Sequence, residues 1–189
     1  MVEMANIAQF EIVERVTEDR AGSEKSVCKI TDGRAFFAAK LIRKVNENGT
    51  VIPDREAVAK KEYEAYLRFR RSELGVYTPA PAFLIKDRND QVMGLAIEWI
   101  RGKLLSQFCP KKPLRTEDID LLENALLLSR KKGLIPHPDV YTESNLLLST
   151  EGRLFFAECE VVEGERAESF FDRTISDDMN YLRQEYCNV

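Results

Sequence analysis

The chain has 189 residues and a formal net charge of −4, from 28 Lys and Arg residues against 32 Asp and Glu residues. This length suits one domain or two small lobes, and the acidic balance provides no overall basic field for non-specific nucleic-acid binding. Apolar residues make up 44% of the chain, as in ordinary soluble globular proteins, and no run reaches the roughly 18 apolar residues that a membrane span needs.

The cysteines and the single histidine argue against a zinc site and against a disulfide framework. Cys28, Cys109, Cys159 and Cys187 stand far apart, and one histidine cannot complete a Cys/His metal site of the usual spacing. We therefore expect reduced thiols, as in cytoplasmic proteins. The N-terminus lacks the basic start and long apolar run of a signal peptide, so we predict a cytoplasmic protein, although a secreted effector is also compatible with the sequence.

The first hundred residues are predicted to form an antiparallel sheet with one helix. Apolar runs bounded by turn residues indicate strands, and their short connections favour antiparallel pairing. The helix is predicted to span residues 53–73 and to end before Gly75. The five predicted strands cover residues 10–16, 26–30, 35–42, 82–86 and 92–100.

The remainder is predicted to be mostly helical. A helix over residues 116–133 begins with the potential cap Thr116 and ends at Gly133. The change of composition near residue 100 predicts an α+β protein with two lobes, residues 1–100 and 101–189. The other predicted elements are a short helical segment at 103–108, an irregular loop at 136–144, a hairpin of 146–149 and 154–158, and a helix at 175–186.

Lys40 and Glu62 are expected to form an ion pair. Lys40 lies in the apolar strand, where an isolated ammonium is costly unless it reaches solvent or a partner. At 100° per residue, Glu62 falls within the apolar stripe of the helix, between Val58 and Tyr66. A carboxylate on that face requires a cation, and Lys40 is the available one. A purely structural ion pair is an equally valid interpretation of these two residues alone.

A loop containing Pro136-His137-Pro138-Asp139 precedes Asn145, which opens the small hairpin. We expect His137 to brace this loop rather than to act as a base or metal ligand. Asp139 is either a plain turn aspartate or the group that orients a nucleophile. The chain therefore has four polar residues in the order that a nucleotide phosphotransferase needs: a strand lysine, a helix glutamate, a loop aspartate and a strand-start asparagine.

Five motifs stand in register between about residues 10 and 162. They are Ala38-Ala39-Lys40 on the third strand, 61–67 around Glu62, 94–102 at the fifth strand, 133–145 around Asp139, and 152–160 around Glu158. Together they resemble the protein-kinase-like superfamily. The likeness is greatest to its small atypical branches, the RIO kinases, the KEOPS-complex kinase and the lipopolysaccharide or aminoglycoside kinases.

The resemblance implies a bilobal fold, with a five-stranded antiparallel N-lobe that carries one helix and a short, mostly helical C-lobe. It also implies a Ser/Thr kinase that uses ATP and Mg²⁺ or Mn²⁺ and acts on a protein substrate or partner. In such a site Lys40 binds phosphate, Glu62 holds Lys40 and Asp139 orients the acceptor hydroxyl. The other implied roles belong to Gly22 and Ser23 in the phosphate loop, to the backbone of Glu98 and Ile100 at the adenine, and to Asn145 and Glu158 at the metal.

The chain departs from the family pattern in several places. The phosphate loop keeps Gly22 but lacks the repeated glycines. The interval from Asp139 to Asn145 is one residue longer than usual, so Ser144 competes with Asn145 as metal ligand. Glu158 replaces the metal-binding aspartate, and Mg²⁺ tolerates little departure from octahedral geometry.

Two alternative functions follow from these departures and from the wider resemblance. A pseudokinase would bind nucleotide, or nothing, and act as an interaction module. An ATPase or accessory factor in RNA or ribosome assembly is disfavoured by the acidic charge balance and the absence of an aromatic-basic stripe. The stretch after Glu163 is too short for the family's usual helical lobe, so we expect a peptide-substrate platform to be missing or supplied by a partner.

Overall fold

A computed structural model describes residues 3–16, 25–44, 51, 54–108, 113–162 and 167–187, with residues 167–174 described by their backbone alone. The chain divides into two compact units, Met1–Glu64 with Ala80–Ile100 and Ala65–Pro79 with Arg101–Val189. The described residues contain three α-helices and two β-sheets, so the predicted α+β class is confirmed. None of the described helices combines the length and apolar character needed to cross a membrane.

Six strands form the sheet of the first unit: β1 (Met4–Asn6), β2 (Glu11–Arg15), β3 (Lys25–Thr31), β4 (Phe36–Ile42), β5 (Pro81–Lys86) and β6 (Val92–Glu98). Their spatial order is β1-β5-β6-β4-β3-β2. The predicted five-stranded antiparallel sheet is therefore wrong in strand number and direction, because β1 joins it parallel to β5. The three residues of β1 show no alternation of apolar and polar side chains, so their sequence gives too weak a signal for a strand to be predicted.

One row of small and aromatic residues crosses this sheet and builds its core. Cys28 on β3 lies opposite Ala39 on β4, which lies opposite Ala96 on β6, and Ala96 lies opposite Phe83 on β5. All four are buried. Because side chains alternate between the faces of a strand, Lys40 points to the other face from Ala39.

Helix α1 (Arg55–Arg70) follows the first four strands. Asp54 precedes its first turn and accepts the Ala57 N–H at 2.8 Å, which satisfies one free donor at the helix start. The helix ends before the predicted position because Ser72 caps a separate 3₁₀ turn, Glu73–Tyr77. Residues 55–64 of α1 belong to the first unit and the rest to the second.

The second unit contains α2 (Thr116–Lys131), α3 (Ala167–Tyr186) and an antiparallel sheet of β7 (Gly102–Leu104), β8 (Leu146–Ser149) and β9 (Leu154–Phe156). Strands β8 and β9 form the predicted hairpin. The segment 103–108 was predicted to be helical, but only part of it is. Gly102–Leu104 pairs with β8 as a strand, and a 3₁₀ turn begins after it. Helix α3 begins at Ala167 rather than at residue 175.

Candidate functional site

Lys40 and Glu62 form an ion pair inside the first unit. Lys40 is 5% exposed and Glu62 is 6% exposed, and the Lys40 Nζ donates a hydrogen bond to Glu62 Oε1. The helix-face reasoning that paired these two residues therefore matches the observed contact. Taking two charges out of water is unfavourable unless they are closely paired, so each of these side chains depends on having a partner of opposite charge.

A second lysine lies beside the same glutamate. Lys25 Nζ is 2.9 Å from Glu62 Oε2, the oxygen that does not receive the Lys40 hydrogen bond. Val27 lies opposite Lys40 in the sheet, and Lys25 precedes Val27 by two positions, so both lysines lie on one face. The sequence reasoning missed Lys25 because it assigned the residue to the preceding loop. The available signal was the spacing of two positions between Lys25 and Val27, which places both side chains on one face if the strand begins at Lys25.

We expect Glu62→Ala to lower the free energy of unfolding by about 3–5 kcal/mol, because removing one member of a buried ion pair leaves charge without compensation. Here two lysine ammonium groups lose their shared carboxylate. Urea denaturation at neutral pH measures the loss.

Glu56→Ala is the matched control for this prediction. Glu56 also lies on α1 and also pairs with a lysine, Lys60, at 2.6 Å, but both side chains are about half exposed, at 49% and 46%. Exposed pairs of this kind contribute little to stability. Equal losses for Glu56→Ala and Glu62→Ala would contradict the view that burial makes the Glu62 cluster important.

Glu98 and Ile100 lie at the end of the first unit, where the resemblance places adenine. The Glu98 N–H donates to the Ala80 carbonyl at 2.8 Å, and the Glu98 carboxylate accepts the Ala80 N–H at 3.2 Å. Among the described residues, none accepts a hydrogen bond from the Ile100 N–H. This donor can therefore serve a planar base. Gly22 and Ser23, the expected phosphate-loop residues, lie outside the described residues.

The loop that carries Asp139 is fixed by its own backbone and side chains in the second unit. The Asp139 carbonyl accepts hydrogen bonds from Thr142 Oγ1 and Asn145 Nδ2, both at 2.9 Å. His137 Nδ1 accepts the Asp139 N–H at 3.3 Å, a bracing contact of the kind expected for this histidine. These contacts hold the main chain. The Asp139 carboxylate has Oδ2 3.5 Å from His137 Nδ1 and is 75% exposed, so it is accessible to another molecule.

The segment that carries Glu158 is anchored on both sides. The Tyr66 hydroxyl donates to the Ala157 carbonyl at 2.9 Å, and the Ala157 N–H donates to the Asn145 carbonyl at 2.8 Å. Further along, the His137 N–H donates to the Glu160 carbonyl at 2.8 Å. These backbone bonds hold the segment around Glu158 beside the loop that contains Asp139.

A pocket of about 340 Å³ opens between the loop and this segment. Asp139, Asn145 and Glu158, three residues chosen from the sequence, are all at its wall. Sequence reasoning missed two further acids, Glu143 and Glu160, because no motif distinguishes them from solvated surface residues. The lining residues are Asp139, Val140, Thr142, Glu143, Ser144, Asn145, Glu158 and Glu160.

Ser144 and Asn145 both line the pocket, and their contacts differ. Ser144 Oγ shares a hydrogen bond of 3.0 Å with Thr142 Oγ1, and Ser144 is the donor because Thr142 Oγ1 donates its own proton to the Asp139 carbonyl. Asn145 uses its amide nitrogen to hold the Asp139 carbonyl, and this orientation keeps the amide oxygen as an acceptor. An amide oxygen is a suitable ligand for a hard cation, so Asn145 keeps the oxygen atom that its expected metal role requires.

Asp178 on α3 and Tyr141 in the loop lie in surroundings that disfavour their negatively charged forms. Burial raises the pKa of Asp178, and the negative charges of Asp177, Glu143 and Asp139 raise it further. Burial likewise raises the pKa of Tyr141, with Asp178 and Asp139 adding to the effect. The Tyr141 hydroxyl is buried without a hydrogen-bond partner among the described residues. Negative charge is therefore concentrated in this region.

We expect Asp178→Asn to stabilise the protein at neutral pH. A carboxyl whose pKa is raised by folding carries no penalty below its unfolded pKa of about 3.9, and stability is lost as pH rises through the folded pKa. The advantage of the variant over wild type should therefore shrink as pH falls towards that unfolded value. Urea denaturation at several pH values measures this, with the exposed α3 variant Glu185→Gln as control. A constant difference between Asp178→Asn and wild type at all pH values would contradict the assignment.

Comparisons with known proteins give no family for the chain: no protein-family model matches it, and no curated protein does either. Within the described residues, no group of three or more His, Cys, Asp or Glu side chains is arranged to hold a metal ion.

Proposed function

We propose that this chain is an ATP-dependent phosphotransferase, namely an atypical Ser/Thr protein kinase. The observation that carries the proposal is that Asp139, Asn145 and Glu158, from separate stretches of sequence, line one pocket. The buried Lys40–Glu62 pair of the first unit supports it independently.

In the proposed reaction, the oxygen of an acceptor hydroxyl forms a bond to the γ-phosphorus of ATP. The bond from that phosphorus to the bridging oxygen breaks, and ADP leaves. Asp139 orients the hydroxyl and accepts its proton, which is the role of a positioned general base. Lys40 binds phosphate oxygens and Glu62 holds Lys40, while the backbone of Glu98 and Ile100 receives the adenine. The choice of a protein Ser/Thr acceptor comes from the family resemblance.

The pocket suits a metal ion that arrives with the nucleotide. Mg²⁺ usually takes one or two protein carboxylates together with substrate phosphates and water, and Glu158 with the Asn145 amide oxygen provides such a partial set. When bound, Mg²⁺ or Mn²⁺ would neutralise phosphate charge and polarise the γ-phosphoryl group. The longer side chain of Glu158, compared with aspartate, favours the ion that tolerates more varied geometry, and we propose Mn²⁺ as the better activator.

The proposal includes a bilobal kinase-like fold. In the first unit, strands β2, β3, β4, β6 and β5 pair in this order, each antiparallel to the next. This pairing and the glutamate on α1 support an N-lobe. In the second unit, the Asp139 loop followed by the β8–β9 hairpin supports a C-lobe.

Incubation with ATP and either Mg²⁺ or Mn²⁺, in the presence of generic acceptor proteins, tests the proposal. The expected product is phosphoserine or phosphothreonine, identified by mass spectrometry and absent when the metal is chelated.

A pseudokinase is the second candidate, and the observation that favours it is Glu158 in the position of the family's metal-binding aspartate. Nucleotide binding without phosphorylated product under either metal would favour the pseudokinase and contradict the kinase.

A further inference from the structure

Two lysines contact different oxygens of one buried glutamate. Lys40 Nζ donates a hydrogen bond to Glu62 Oε1, and Lys25 Nζ lies 2.9 Å from Oε2. The Lys25 side chain is 20% exposed, whereas those of Lys40 and Glu62 are each 6% exposed. The three side chains together carry one positive charge in excess, and nothing in the kinase motifs assigns a role to Lys25.

We propose that Lys25 is a positioning residue that keeps Glu62 neutralised while Lys40 Nζ turns to the phosphates of ATP. This inference rests on the proposed function, because it assigns a further residue to the same phosphate site. Lys25 acts through Glu62 and makes no contact with the reacting atoms in this proposal.

The physical reason is that Glu62 and the phosphates of ATP compete for the ammonium group of Lys40. If Lys40 were the single cation beside Glu62, its movement towards phosphate would weaken the compensation of a buried carboxylate, which is unfavourable. With Lys25 at Oε2, the carboxylate keeps a cation throughout. Both lysines stand on one face of the paired strands β3 and β4, so each reaches Glu62 without a change of the backbone.

This arrangement predicts an effect that depends on the phosphates of the ligand. In Lys25→Met, Glu62 has Lys40 as its remaining cation from this cluster, so Lys40 is held more firmly and is less available to phosphate. We expect the affinity for ATP to fall about tenfold, with the affinity for adenosine unchanged. Lys25→Arg keeps the cation and should retain the wild-type affinity for ATP. A generally weakened fold would instead reduce the binding of both ligands.

The experiment is calorimetric titration of the full chain with ATP and with adenosine, each in the presence of Mn²⁺. Wild type, Lys25→Met and Lys25→Arg are compared with Lys60→Met, an exposed lysine substitution on α1 that should leave both affinities unchanged. Selective loss of ATP affinity in Lys25→Met, with rescue in Lys25→Arg, supports the proposal.

Three results would overturn it, and they are distinguishable. Wild-type ATP affinity in Lys25→Met refutes the role of Lys25 and leaves the kinase proposal intact. Equal loss of ATP and adenosine in Lys25→Met assigns Lys25 to the structure alone. Failure of the wild-type protein to bind ATP refutes the phosphate site itself and the role of Lys25 with it.

Discussion

Asp139→Asn is expected to reduce the rate of phosphoryl transfer by about 10³-fold while leaving the affinity for ATP unchanged. Asparagine has nearly the same size as aspartate but cannot accept the proton of the acceptor hydroxyl. The loop should keep its shape, because Thr142 and Asn145 bind the Asp139 carbonyl rather than its carboxylate. Transfer from γ-labelled ATP gives the rate, and calorimetric titration gives the affinity.

Glu151→Gln serves as the matched control for Asp139→Asn. Glu151 lies in the turn between β8 and β9, is exposed and does not line the pocket. Its substitution also removes one carboxylate from the second unit and should leave transfer unchanged. If Asp139→Asn retained the wild-type rate, Asp139 would have no role as base, and the proposed mechanism would be wrong.

Lys40→Met is expected to weaken both steps. In the proposed site, loss of the ammonium removes a charged hydrogen-bond donor to phosphate, so the affinity for ATP should fall about tenfold. The transfer rate should fall by about 10²-fold, the effect typical of losing one group that stabilises transition-state charge. The variant should still fold, because Lys25 remains beside Glu62. Titration with ATP and transfer kinetics measure the two effects separately.

Lys60→Met separates the loss of a positive charge from the loss of this particular lysine. Lys60 lies on the exposed face of α1 and pairs with Glu56, so neither ATP affinity nor transfer should change. Wild-type transfer by Lys40→Met would show that the buried pair with Glu62 is structural. Together, Asp139→Asn and Lys40→Met distinguish a defect of chemistry alone from a defect of both binding and chemistry.

Much of the sheet of the first unit was predictable because its signals are local. Strands β4, β5 and β6 are mostly apolar runs ended by turn residues, and short connections imply antiparallel pairing. Strand β1 was not predictable, since its three residues gain their structure from distant Leu84 to Lys86. The same applies to β7, whose pairing with β8 replaces the helix expected from its local sequence.

The site shows the same division between local and long-range information. Glu62 was identified because a charged residue interrupts the apolar stripe of a helix, and this left Lys40 as the partner to seek. Lys25 was missed because its assignment depended on where a strand begins, which is the least certain feature of a sequence-based prediction. Glu143, Glu160 and Asp178 have ordinary local sequences, and their proximity to Asp139 is a property of tertiary structure alone.

The most direct test of the central claim is transfer of the γ-phosphoryl group from labelled ATP, measured with Mg²⁺ and with Mn²⁺ for wild type beside Asp139→Asn. We expect label on serine or threonine of the protein or of an added acceptor, stronger with Mn²⁺ and lost in Asp139→Asn. Equal labelling by wild type and Asp139→Asn, or none by wild type with either metal, would contradict it.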